Sequence, residues 1–170
     1  MNTRIKTLCT VPLPYPKPQV KEPNLSYARM LSVPYAGQSG ELSAILQYQY
    51  GHLVCRNAKP ALLTDVFAYI AEVEMHHLEI LGALICDLGG APRFQSSDGR
   101  GVFSAMGLNY STTPDRLLAA AEASEKNAIA VYQRLMKNIQ DESVTEVIAR
   151  IIKDEEHHAK IFRELISEIA

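Results

Sequence analysis

The sequence predicts an all-α protein, a four-helix bundle of two antiparallel hairpins joined by a long crossover, with an extended proline-rich arm in front of it. Three observations predict it. Beyond residue 36, four stretches carry apolar residues at alternating steps of four and three, the period of an inward-facing helical seam. Two of the three connections are short and the middle one, about 89–111, is long and contains glycine; short connections make antiparallel neighbours and a long one crosses over. The two halves also repeat one another: Glu41 to Tyr48 and Glu74-x-x-His77 are followed by Glu125 to Tyr132 and Glu155-x-x-His158. The offset between halves is 84 residues for the first glutamates and 81 for both Glu74 to Glu155 and His77 to His158.

Residues 1–35 form the arm. Pro12 through Pro34 interrupt any sustained period, which leaves room for one short helix near 24–31. Val11, Leu13, Tyr15 and Val20 are too apolar for a free tail, so the arm is expected along the bundle or on a neighbouring subunit, and a homodimer is expected. The bundle domain is 36–170. Its first helix covers about 37–56. The second opens near Lys59-Pro60, where proline suits a first turn, and ends before Gly89-Gly90. Thr113-Pro114-Asp115 supplies N-cap, first position and acidic first turn for the third, which ends near Gln140. Asp141 caps the fourth.

The seams bury the unusual residues. The second helix reads Leu63, Phe67, Ile70, Glu74, His77, Leu81, Leu84, Leu88, and the fourth Val144, Ile148, Ile151, Glu155, His158, Phe162, Leu165, Ile169. The third reads Leu118, Glu122, Glu125, Ile129, Tyr132, Met136, Ile139, and the first Glu41, Ile45, Tyr48, His52, Cys55. An unpaired carboxylate in an apolar core costs several kcal/mol even after relaxation, and no lysine or arginine falls on these seams. One such motif alone reads as a charged outer face. Two matching repeats on four seams read as a dinuclear metal site, since one glutamate from each of two helices plus a Glu-x-x-His from each of the others is such a ligand set. His76 and His157 break the register and are expected at flanking or solvent-facing positions. Glu122 is an extra carboxylate one turn from Glu125: a seventh ligand, a mobile ligand or a proton relay. Tyr48 and Tyr132 lie two turns from their glutamates, about 10 Å along the axis. Each either donates a hydrogen bond to a ligand carboxylate on a facing helix or is an aromatic core residue whose hydroxyl has found a partner. His52 has no counterpart in the other half, and the repeat assigns it nothing.

Bulk properties exclude several classes. A net charge of −2 gives nucleic acid nothing to hold. No apolar run approaches the roughly 18 residues of a membrane span, and the prolines deny the N-terminus the apolar core of a signal peptide, so a cytoplasmic location is expected. Cys9, Cys55 and Cys86 form no C-x-x-C pair and read as small buried apolar residues.

The segments GELSAILQYQYGH, AEVEMHHLEILGALICDLGG, AEASEKNAIAVYQ and DEEHHAKIF resemble the ferritin-like superfamily over about 37–170, in its rubrerythrin-like and manganese-catalase-like branches. EMHHLEI is especially similar to the second helix of manganese catalases and their short spore-coat relatives. Glu122-x-x-Glu125 resembles the third helix of rubrerythrins, where an additional glutamate joins the metal shell. The resemblance implies six ligands, Glu41, Glu74, His77, Glu125, Glu155 and His158, with Glu74 and Glu155 bridging. It implies two metal ions, iron favoured and manganese possible, and hydrogen peroxide or dioxygen as substrate. A rubrerythrin-like peroxidase leads, drawing on an external electron-donor protein because the cysteine-rich domain of rubrerythrins has no counterpart here. Manganese-catalase-like disproportionation is the alternative, followed by iron oxidation and storage or a structural spore-coat role.

Overall fold

The computed structural model describes residues 8–57, 61–97 and 101–169. Five helices make up most of it: α1 (Leu25–Ala36), α2 (Glu41–Cys55), α3 (Leu62–Asp87), α4 (Pro114–Asn138) and α5 (Glu142–Ile169). Helices α2 and α3 form one antiparallel hairpin and α4 and α5 the other, so the fold is the ferritin-like bundle expected. Among the described residues no helix is long and apolar enough to cross a membrane.

The helix ends follow local chemistry. Asn24 accepts the backbone N–H groups of Ser26 and Tyr27, starting α1. This helix outruns the expected short one by running on through Pro34, at the cost of the bond a residue there would make to the Met30 carbonyl, and the Gly37 N–H closes its end by donating to Val33. Asp141 accepts the Ser143 N–H and hydroxyl at the head of α5. Pro114 opens α4 as its first residue, while the Thr113 side chain makes no capping bond. Lys59 and Pro60 lie outside the described residues.

The crossover is less featureless than its composition implies. It holds a two-stranded antiparallel ribbon, β1 (Gln95–Ser96) with β2 (Gly101–Val102), pairing Gln95 with Val102, and then a single 3₁₀ turn, Ala105–Gly107. The Gln47 side chain anchors it to α2 by donating to the Asn109 carbonyl and accepting the Asn109 N–H.

Two apolar layers fill the bundle. One gathers Leu31 and Tyr35 of α1, Leu81 and Leu84 of α3, Tyr132 of α4, and Ile148 and Ile151 of α5. The other gathers Tyr48 of α2, Leu63, Phe67 and Ile70 of α3, Leu118 of α4, and Phe162 of α5. On α3 the glutamate and histidine fall between Ile70 and Leu81, and on α5 between Ile151 and Phe162, so a polar layer is sandwiched between the two. Cys9 and Cys55 are buried as expected; Cys86 is exposed.

The arm lies along its own bundle, against α5. His157 meets the Leu8 carbonyl, Arg150 donates to the carbonyls of Val11 and Leu13, and the Lys21 N–H donates to Asp141. Tyr15 and Val20 pack against the first apolar layer, which accounts for their apolar character.

Candidate metal centre

The polar layer consists of Glu41, Glu74, His77, Glu125, Glu155 and His158, none more than 3% exposed. Two groups of potential ligand atoms form within it, each confined to 4.8 Å: Glu41, Glu74, His77 and Glu155, and Glu74, Glu125, Glu155 and His158. Glu74 and Glu155 belong to both. One donor set per helix pair, joined by two shared carboxylates, is the arrangement of a dinuclear centre.

Both imidazoles present Nδ1 to the carboxylates. His77 Nδ1 lies 3.0 Å from Glu74 Oε2 and 2.9 Å from Glu155 Oε1, and His158 Nδ1 lies 2.9 Å from Glu74 Oε1. Their outer nitrogens have partners that fix the tautomer. His158 Nε2 is 2.9 Å from the Cys9 carbonyl, which can only accept, so Nε2 carries a hydrogen and Nδ1 is the nitrogen that binds metal once its own proton is displaced. His77 Nε2 is 3.0 Å from the Tyr15 hydroxyl and 3.3 Å from Asp154 Oδ2. Tyr15 donates its own hydrogen to Asp154, so it accepts from His77. Arg150, 2.8 Å from Asp154 and 4.2 Å from the centre of the Tyr15 ring, closes the chain. Such outer partners orient a metal-binding histidine.

The two tyrosines cross between halves. Tyr48 of α2 donates to Glu125 of α4, and Tyr132 of α4 donates to Glu41 of α2. Burial, reinforced by the partner carboxylates, pushes both phenols well above their usual range, so they remain donors.

Electrostatics show how unsatisfied the layer is on its own. Burial and then repulsion from neighbouring carboxylates push Glu41 and Glu125 well above the carboxylate range, and Glu155 up to about 7. Burial opposes ionising Glu74 as well, but His158 and His77 on either side outweigh it and hold Glu74 well below that range. Glu74 Oε1, Glu155 Oε1 and His158 Nδ1 are buried without a well-formed hydrogen bond, despite their close approaches. Carboxylate and imidazole donors converging this way fit a pair of divalent ions, which would neutralise four glutamates. The residues present fit the metal.

Glu122 does not join them. Its carboxylate sits 2.7 Å from Lys126 Nζ and 2.8 Å from Arg163 Nε, which pull it to the flank and lower its pKa. The buried stripe of α4 passes through Leu118, Ala121 and Glu125, and a residue one position past Ala121 is rotated about 100° away. His76 is exposed near Glu79, 3.8 Å away, and His157 is partly exposed under Leu8, both outside the cluster. His52 Nδ1 meets the Thr64 carbonyl between α2 and α3.

Sequence reasoning missed Tyr15, Asp154 and Arg150. Asp154 and Arg150 sit one position off the α5 seam and are buried only because the arm covers them. The available signal was Asp154 itself, an acidic residue directly beside a seam glutamate.

The rubrerythrin family model matches residues 36–166. The chain belongs to the rubrerythrin family. It is 29% identical over 171 residues to a probable manganese catalase of Clostridium acetobutylicum, covering 89% of this chain and 75% of that protein. The crystal structure of KatB, a manganese catalase from Anabaena, superposes with a TM-score of 0.84 at 26% identity, over 94% of this chain and 79% of that one. The bacterioferritin of Rhodobacter capsulatus superposes with a TM-score of 0.72 at 23% identity over 86% of each chain, a likeness of fold alone. This rubrerythrin-family chain is a dinuclear-metal oxidoreductase.

Proposed function

We propose that the protein disproportionates hydrogen peroxide to water and dioxygen at a dimanganese centre. The observation that carries this is Glu122. The case for a reductant-dependent peroxidase rests on an added carboxylate in the metal shell, and here that carboxylate is held by Lys126 and Arg163. What is left is a six-ligand set matched in its two halves. The similarity to one manganese catalase and to one probable manganese catalase supports the same metal and reaction.

A bound pair of redox-active ions supplies a two-electron couple and stabilises charge on both peroxide oxygens. The protein's own residues do the rest. Glu74 and Glu155, common to both groups, would be shared by the two ions, and Glu41 with His77 and Glu125 with His158 would complete the two sets. Tyr48 and Tyr132 hold Glu125 and Glu41 by one oxygen each, limiting how those carboxylates can swing. One peroxide must shed two protons and the other must accept two. The apolar layers on either side exclude bulk water.

The test is oxygen release from hydrogen peroxide by the manganese-loaded protein with no reductant. Vigorous release is expected. Peroxide consumption that needs an added electron donor and yields no oxygen would establish the peroxidase reading instead.

A further inference from the structure

We propose that substrate reaches the metal centre between the turn preceding α2 and the middle of α4, through a neck that admits only molecules about one heavy atom across. The proposal rests on the peroxide reading and adds to it the size class of substrate.

A cavity of about 10 Å³, roughly the room of one water, lies against Glu41, Glu125 and Glu155. Ala44, Ser124, Ala128 and Val131 form its walls. It shares two lining residues, Ser39 and Val131, with a neighbouring vestibule of about 190 Å³, where Gln38, Asn127 and Arg134 give a polar mouth. Gln38 Nε2 is buried without a partner and offers a hydrogen to an entering oxygen. The crossover's 3₁₀ turn packs against Gln38: a Cβ at Gly107 would meet the end of the Gln38 side chain.

Among the described residues, the other sides of the centre are closed. The histidine side is covered by the arm through Cys9 and Tyr15, and both ends are sealed by the apolar layers. Small side chains at Ala44, Ser124 and Ala128 therefore set the passage. Hydrogen peroxide and rod-shaped azide have the cross-section to pass, whereas a tertiary alkyl hydroperoxide does not.

The experiment follows azide binding to the metal-loaded full chain by its visible absorption, beside peroxide turnover. Ala128→Phe should slow azide entry at least tenfold while metal content and melting stay as in the parent. Val131→Ala with Gln38→Ala should let tert-butyl hydroperoxide, inert toward the parent, be reduced to tert-butanol and water in a single turnover that oxidises the reduced, loaded metal pair by two electrons. Azide entry at the parental rate in Ala128→Phe would overturn the route. Should that variant lose metal or fail to fold, the widened variant decides, and its continued exclusion of the bulky hydroperoxide would overturn the proposal. Azide entry does not depend on peroxide chemistry, so a protein inactive toward all peroxides but gated by Ala128 would refute the function and keep the route.

Discussion

The phenol of Tyr48 donates to a carboxylate oxygen of Glu125, 77 residues further along the chain and on the opposite hairpin. Tyr132 returns the same bond to Glu41. The two contacts tie α2 to α4 at the metal layer, and each removes one oxygen from the ligand's freedom to swing. Replacing Tyr48 by phenylalanine keeps the packing with Phe67 and Phe162 and removes only the bond. Metal affinity should fall about 10- to 100-fold, the usual effect of deleting such a partner. Isothermal titration of the metal-free variant checks this, and unchanged affinity would make the tyrosine a packing residue.

On the histidine side, Asp154→Asn should weaken the ion bound by Glu41 and His77 before the one bound by Glu125 and His158. Asp154 organises Tyr15, Arg150 and, through Tyr15, His77, whereas His158 depends on the Cys9 carbonyl. Stepwise chelation should show one ion leaving early, and simultaneous loss of both would contradict the asymmetry.

The spacing of Glu41 to Tyr48 and its repeat were legible in the sequence, because seven residues return to the same helical face. The Glu-x-x-His registers were legible for the same reason. Glu122 was not, because a seam stepping from Leu118 passes equally well through 121 or 122. The choice falls to Lys126 and Arg163, and Arg163 comes from another helix. Tyr15, Asp154 and Arg150 were hidden because their burial depends on where an arm with no period of its own comes to rest. The continuation of α1 through Pro34 was hidden because proline ordinarily ends a helix, and only the packing of Leu31, Pro34, Tyr35 and Ala36, all buried, offsets the lost bond.

Acid and base should act oppositely on the metal-free and metal-loaded forms. Folding raises the pKa of Glu41, Glu125 and Glu155, and of His77 and His158. Groups raised in the folded state contribute stability that is fully present below their unfolded values and is lost as pH rises through the folded ones. For Glu155 that window runs from the ordinary 4.5 to about 7. The metal-free protein should therefore melt at lower temperature as pH rises from 5 to 8. Metal binding displaces these protons, so the loaded protein should gain stability over the same range. Glu74 and Asp154 shift the other way and matter only in stronger acid, where their stabilisation is lost as pH falls. Melting curves of both forms across the range check the prediction, and parallel trends would count against metal in this layer.

Counting bound ions per chain by elemental analysis tests the central claim most directly, in the parent and in Glu74→Ala, Glu155→Ala and Glu122→Ala. The parent and Glu122→Ala should each hold two ions, because Glu122 faces Lys126 and Arg163. Glu74→Ala and Glu155→Ala should hold one or none, because each removes a carboxylate shared by both positions. Two ions retained in both shared-carboxylate variants, or an ion lost from Glu122→Ala, would contradict the account.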